Sequence, residues 1–146
     1  MKKYIFPIIV FTAVSVYFIY CIYLYDISNM SLYNIVLFIF ASPLLEEFIF
    51  RGLVQKSINN FLKSGIFLYI SSGSIISSLI FTFIHLILND FAFIYLLVFF
   101  PSLFFGYLYD KYKTLLLPVL FHSFFNINVF IAYPLNDLTF FFVEKL

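Results

Sequence analysis

Residues 33–53 read YNIVLFIFASPLLEEFIFRGL, a stretch that decides the fold because it is long, apolar and interrupted by three charges. About 20 apolar residues are enough for a helix to cross the hydrocarbon layer of a membrane. Near the bilayer centre, Glu46, Glu47 and Arg51 would each cost roughly 2.5–3.5 kcal/mol on insertion scales. Either this helix ends near Glu46 and the charges reach the headgroups, or the three side chains have a function within the membrane.

The rest of the chain has the same apolar character. Hydrophobic residues make up 64% of it and charged residues 10%, whereas roughly 25% of residues are charged in soluble domains. A helix satisfies its own backbone hydrogen bonds where water is absent, and the alternation typical of outer-membrane barrels is missing. We therefore predict an all-α fold, a polytopic transmembrane bundle of about five helices. The predicted segments are 4–25, 33–53, 66–88, 91–109 and 115–133.

This pattern divides the chain into three parts. Residues 1–32 are predicted to form an N-terminal transmembrane anchor helix and a loop, because the apolar stretch is too long for a signal peptide. Residues 33–134 are predicted to form a four-helix core. Residues 135–146 are predicted to be a short interfacial tail, since their apolar run is too short to span.

The positive charges predict the orientation. Seven of the eight basic residues fall on one side of the predicted helices, and such an excess marks the cytoplasmic side. The abundance of Phe, Ile, Tyr and Asn is typical of a low-GC bacterial genome. We therefore expect a multi-pass protein of the bacterial cytoplasmic membrane, with its N-terminus in the cytoplasm. These basic residues are Lys2, Lys3, Arg51, Lys56, Lys63, Lys111 and Lys113.

Some classes of function are disfavoured by composition. The basic residues form no stripe, so nucleic acid is not an expected partner. Cys21 is the only cysteine, so neither an intramolecular disulfide nor a cysteine metal cluster can form. The serine-rich stretch 71–78 (SSGSIISS) predicts close helix packing, because small residues let helix backbones approach one another.

The spacing of the three charges assigns different roles to the two carboxylates. Glu47 and Arg51 are four residues apart and therefore neighbours on one helix face, in the favourable order of acid before base. Glu46 lies about 100° further round the helix. It has no cationic partner on its own helix and should contact a different neighbour.

The chain has two histidines, and each lies within an apolar segment. His85 follows Phe81 by four residues, so that ring can pack against the imidazole. Asn126 follows His122 by four residues, so both side chains leave one helix face and can contact one ligand. A single buried histidine is more often a packing residue than a catalyst, but polar neighbours favour a site here.

These groups predict hydrolysis. A carboxylate beside a neutral imidazole can remove a proton from water, and Glu46 with His85 is the candidate pair. His122 and Asn126 are donors that could stabilise the oxyanion formed when water attacks a carbonyl. GxSxG and HExxH motifs are absent, which leaves water as the expected nucleophile.

Depth in the membrane limits this pairing. If the third segment entered the membrane at Ile66, His85 would lie about 28 Å deeper at roughly 1.5 Å per residue, too far from Glu46. The crossing is therefore predicted to begin inside the serine-rich stretch, with residues 66–72 at the interface or tilted. A separation of more than about 12 Å between His85 and Glu46 would exclude a shared water.

Three short motifs together resemble one membrane family. EEFIFR at 46–51 matches EExxxR, FTFIH at 81–85 matches FxxxH, and HSFFN at 122–126 matches HxxxN. In this order they resemble the CAAX protease and bacteriocin-processing family, over roughly residues 33–133. The resemblance implies an intramembrane glutamic endopeptidase that needs no metal or other cofactor. It also implies a substrate that is a peptide or a membrane-associated protein.

The resemblance further implies a role for each motif residue. Glu46 and His85 would activate water, His122 and Asn126 would bind the oxyanion, and Glu47 with Arg51 would be structural. Bacterial relatives are linked by this resemblance to bacteriocin immunity, peptide maturation or secretion. The residues of this sequence do not distinguish among these three roles.

Other functions stay open at this point. In a non-catalytic membrane immunity or binding protein, the polar residues would only connect helices. In a zinc-dependent membrane metalloprotease, Glu46, His85 and His122 would be an acceptable ligand set. A small transporter is disfavoured because the polar residues outline no pathway.

Overall fold

The computed structural model describes residues 36–62, 66, 67 and 69–132, together with the isolated positions 12, 16 and 33. Nearly all of the predicted anchor (1–32) and the whole predicted tail (135–146) lie outside the described residues. The chain divides into two compact units, one of residues 1–40 and 123–146 and one of residues 41–122.

The described residues are almost entirely helical. Helix α1 contains a π-helical stretch between two α-helical stretches, and a 3₁₀ stretch leads directly into helix α3. The elements are a π-helical turn Leu37–Ala41, α1 (Ser42–Glu47, Phe48–Gln55 and Lys56–Leu62), α2 (Ser72–Leu88), the 3₁₀ stretch Phe93–Val98, α3 (Phe99–Tyr112) and α4 (Leu116–Ala132).

Among these helices, one is long and apolar enough to cross a membrane. It runs over Phe93–Tyr112, 20 residues that combine the 3₁₀ stretch with α3. Ser72–Leu88 and Leu116–Val129 are apolar but shorter. The all-α class is thus confirmed, while a bundle of five membrane-spanning helices stays a prediction.

Helix α2 begins at Ser72, not at Ile66. The residues before it form a small antiparallel hairpin in which Ile66 pairs with Ser71 and Phe67 with Ile70. Ser71 ends the hairpin in an extended conformation and caps α2, because its Oγ accepts a hydrogen bond from the Ser74 amide at 3.0 Å. The helix therefore starts within the serine-rich stretch, as the depth argument requires.

Helix α1 continues to Leu62, beyond the end predicted near residue 53. The sequence becomes more polar there, but the polar residues are used for contacts between helices. Arg51, Gln55 and Asn59 recur every four residues on one face of α1. Their side chains donate to Ser102 Oγ (2.7 Å), the Gly106 carbonyl (3.2 Å) and Asp110 Oδ1 (3.4 Å) of α3, respectively. We call these three pairs the polar seam.

Helix α2 packs against α3 and against the π-helical stretch of α1. Its serines at 74, 77 and 78 are fully buried, and the Ser77 hydroxyl donates to the Phe50 carbonyl at 2.9 Å. At the end of the polar seam, the buried Asp110 carboxylate accepts from the Ser71 amide at 3.0 Å. Small and hydroxyl-bearing side chains thus let the three helices approach closely.

Candidate active site

The two glutamates lie where helix α1 changes its geometry. The α-helical stretch Ser42–Glu47 ends on the second glutamate, and the π-helical stretch begins at Phe48. π-Helical turns are rare and occur frequently at functional sites. The hydrophobic pattern of this stretch did not predict the change.

Glu47 and Arg51 form the ion pair that their spacing predicts. Arg51 Nε lies 3.0 Å from Glu47 Oε2, and both side chains are fully buried. Arg51 also donates to two hydroxyls from other helices, Ser102 Oγ at 2.7 Å and Ser78 Oγ at 3.4 Å. A buried charge needs such partners to offset its lost hydration.

His122 lies between the two glutamates. Its Nδ1 is 2.8 Å from Glu47 Oε1, and its Nε2 is 3.7 Å from Glu46 Oε2. The imidazole stacks on the Phe105 ring, with centroids 5.0 Å apart and planes inclined by 19°. The Phe81 ring meets it edge-on at 6.0 Å. The imidazole plane is therefore defined by one carboxylate and two aromatic rings.

The two carboxylate oxygens of Glu46 have different surroundings. Oε1 accepts a hydrogen bond from Ser42 Oγ, four residues earlier on α1. Oε2 is buried and has no hydrogen-bond partner among the described residues. A carboxylate oxygen can accept about two hydrogen bonds, so Oε2 has the capacity to accept one from a water molecule.

His85 is oriented by its own helix. Its Nδ1 lies 3.0 Å from the Phe81 carbonyl oxygen, and its ring packs on the Phe81 ring with centroids 4.2 Å apart. Phe81 thus contacts both imidazoles. Glu46 and His122 are near enough to act electrostatically on His85. Among the described residues, however, the imidazole within ion-pair distance of Glu46 is that of His122.

Asn126 belongs to the other unit. Its Nδ2 donates to the backbone carbonyl of Phe38 at 2.9 Å. Its expected role beside His122, as a donor to an oxyanion, stays a prediction.

Several residues of this arrangement were not predicted. Ser42 could have been suspected, because it precedes Glu46 by one helical turn. Ser78, Ser102 and Phe105 could not, because their partners lie 17–51 residues away in sequence and no local pattern reports such pairing.

The zinc alternative requires three converging ligands. Among the residues that the structure describes, no three His, Cys, Asp or Glu side chains are arranged to hold a metal ion. The Nδ1 atoms of His85 and His122 already contact the Phe81 carbonyl and Glu47.

The motifs also match a known family. Residues 28–128 match the family described as type II CAAX prenyl endopeptidase Rce1-like. The matched residues make up more than half of the chain and include all three motifs. The chain belongs to the Rce1-like family. Rce1-like proteins are membrane-embedded proteases, so the site lies in a chain of a hydrolase family. Searches of curated proteins and of solved structures found no match.

Proposed function

We propose that this protein is a membrane-embedded endopeptidase that hydrolyses a peptide bond with a water molecule activated by Glu46. The observation that carries the proposal is the environment of Glu46 Oε2, which is buried, has no hydrogen-bond partner among the described residues and lies 3.7 Å from an imidazole nitrogen. In a chain of a protease family, such an oxygen is suited to act as a general base.

The reaction follows from that assignment. Glu46 removes a proton from water while the water oxygen attacks the carbonyl carbon of the substrate. The carbonyl oxygen becomes an oxyanion, which hydrogen-bond donors stabilise. The carbon–nitrogen bond then breaks, and the proton held by Glu46 passes to the leaving amine. The carboxylate is regenerated, and no other reactant is needed.

The two imidazoles have complementary tasks. A proton on His85 Nδ1 can be donated to the Phe81 carbonyl, which leaves Nε2 as an acceptor that can help to orient the water. A proton on His122 Nδ1 can be donated to Glu47. With a second proton on Nε2, His122 would balance the charges of Glu46, Glu47 and Arg51. It would then be a donor suited to an oxyanion, with Asn126 as the proposed second donor.

We propose a peptide or a membrane-associated protein as the substrate, in the cytoplasmic membrane of a bacterium and with no metal or other cofactor. The family description names prenyl endopeptidases, so a lipidated substrate belongs among those tested. Bacteriocin immunity and peptide processing are roles that the identity of a cleaved substrate would distinguish.

The test is cleavage of a membrane-anchored reporter library in cells that express the wild type, Glu46→Gln, His85→Ala or Asp90→Asn. Loss of a general base costs about 10²–10⁴-fold in rate, so Glu46→Gln should lower cleavage at least about 100-fold. Asp90 is an exposed acid on the loop after α2, so Asp90→Asn should cleave like the wild type. Equal cleavage by all four proteins would contradict the proposal and favour a non-catalytic immunity or binding protein.

A further inference from the structure

Helix α3 contributes two residues to the surroundings of His122 that no sequence motif contains. Phe105 stacks on the imidazole, with ring centroids 5.0 Å apart. Ser102, three residues earlier on the same face of α3, accepts a hydrogen bond from Arg51. Both side chains are buried, with Ser102 at 0% and Phe105 at 2% exposure.

Ser102 is linked to His122 by a continuous series of polar contacts. The Ser102 hydroxyl accepts from Arg51 Nη2 at 2.7 Å, and Arg51 Nε donates to Glu47 Oε2 at 3.0 Å. The other oxygen of that carboxylate, Oε1, lies 2.8 Å from His122 Nδ1. Every residue in the series is buried, so water cannot replace a lost contact.

Ser102 is the stronger of the two hydroxyl partners of Arg51. The bond to Ser102 is 2.7 Å long, whereas that to Ser78 is 3.4 Å. Hydrogen bonds to charged groups weaken with distance and are normally short. Of the two hydroxyls, Ser102 therefore contributes more to the direction of the guanidinium, which in turn donates to the Glu47 carboxylate.

We infer that Ser102 and Phe105 of α3 are positioning residues, which together orient the His122 imidazole toward Glu46. Ser102 fixes the position of Arg51, and through it that of the Glu47 carboxylate, which contacts the ring nitrogen Nδ1. Phe105 fixes the plane of the ring by stacking on it. The inference rests on the proposed function, because it assigns His122 to the reaction. Its structural part, the orientation of the ring, can be tested without a substrate.

The chain offers a matched control. Ser74 is also a fully buried serine at the contact of α2 with α3, but its hydroxyl has no hydrogen-bond partner among the described residues. Ser74→Ala and Ser102→Ala remove the same atom from similar depth. Ser102→Thr retains the hydroxyl and should restore what Ser102→Ala loses.

The first readout is kinetic and uses the full chain in lipid vesicles with a reporter peptide that the wild type cleaves. Misorientation of a reacting group costs up to about 100-fold in rate. Ser102→Ala and Phe105→Leu should therefore lower kcat about ten- to a hundredfold and leave KM within about twofold. Ser74→Ala and Ser102→Thr should stay close to the wild type.

The second readout is NMR of the histidine ring nitrogens in ¹⁵N-histidine-labelled protein, which has only two histidines to assign. In the wild type and Ser74→Ala, the His122 Nδ1 signal should be that of a protonated nitrogen in a hydrogen bond to Glu47. In Ser102→Ala and Phe105→Leu, the His122 signals should shift or broaden as the hydrogen bond from Nδ1 to Glu47 weakens and the ring changes orientation.

Unchanged ring-nitrogen signals in Ser102→Ala would overturn the inference, whether or not kcat falls. A changed spectrum with unchanged kcat would also overturn it. The proposed function fails separately, if the wild type cleaves no reporter or if Glu46→Gln cleaves as the wild type does. The NMR comparison then still decides whether α3 orients His122.

Discussion

At the residue scale, the fully buried Glu47–Arg51 ion pair and the partly buried Glu46 carboxylate lie on either side of the His122 imidazole. The ion pair of Glu47 with Arg51 was predictable, because helical geometry places residues four apart side by side. The contact of Glu47 with His122 was not, because it joins residues 75 positions apart. Sequence spacing thus predicted the local half of the site and left the pairing across helices open.

Arg51 connects this group to two other helices, because its guanidinium contacts Glu47, Ser78 and Ser102. Arg51→Lys keeps the charge but cannot donate hydrogen bonds to Glu47, Ser78 and Ser102 together, because Lys lacks the planar guanidinium. We expect it to lower the free energy of unfolding by about 1–3 kcal/mol. Arg51→Ala leaves the Glu47 carboxylate buried and unpaired and should cost about 3–5 kcal/mol. The measurement is unfolding in detergent.

Lys56 provides the control, because it is an exposed basic residue on the same helix. Lys56→Ala should change the free energy of unfolding by no more than about 0.5 kcal/mol. If Arg51→Ala changed the free energy of unfolding as little as Lys56→Ala does, the ion pair would not stabilise the fold.

At the element scale, the contact of α2 with α3 depends on Gly106. A Cβ atom there would collide with Ser74 Oγ and lie 3.1 Å from Ser74 Cβ and 3.2 Å from Gln55 Oε1. The apolar pattern of residues 91–109 predicted a helix but not which residue faces which neighbour. Depth predicted that the membrane crossing begins inside the serine-rich stretch, where α2 starts at Ser72, whereas the hairpin before it was not predicted.

Gly106→Ala should therefore destabilise the fold. Overpacking costs about 1–3 kcal/mol, which exceeds the gain of about 0.5–1 kcal/mol from replacing a helical glycine by alanine. Gly52→Ala is the control, because its nearest neighbours would lie 3.5 and 3.6 Å away, in ordinary contact. It should be neutral or slightly stabilising in thermal unfolding.

A double variant shows whether the destabilisation by Gly106→Ala comes from the clash with Ser74. Ser74→Gly removes the atoms that a Cβ at position 106 would meet on α2, so Gly106→Ala should cost less in that background. An equal cost in both backgrounds would show that the contact with Ser74 does not limit the approach of the two helices.

At the scale of the whole molecule, composition alone predicted the all-α class, because an apolar chain in lipid must satisfy its backbone internally. The three motifs predicted the family. Helix ends were less predictable, since α1 continues to Leu62 through polar residues that bond to α3. Hydropathy measures how apolar a stretch is. It does not predict which groups its polar side chains form hydrogen bonds with.

The distribution of basic residues predicts the orientation of the chain in the membrane. In a Cys21→Ser background, Lys113→Cys and Asp90→Cys place thiols just beyond the two ends of the candidate span Phe93–Tyr112. In intact cells, an impermeant thiol reagent should label the cysteine at position 90 and not that at position 113. In inverted vesicles the labelling should reverse. The opposite pattern would contradict a cytoplasmic N-terminus.

Water activation by Glu46 is the step on which the proposed reaction depends. Its most direct test is cleavage of a reporter peptide by the purified protein in lipid vesicles washed with a chelator, for the wild type, Glu46→Gln and Asp90→Asn. We expect the wild type and Asp90→Asn to cleave at similar rates, and Glu46→Gln to be at least about 100-fold slower. Cleavage by Glu46→Gln at the wild-type rate, or activity that returns only when zinc is added, would contradict this role of Glu46.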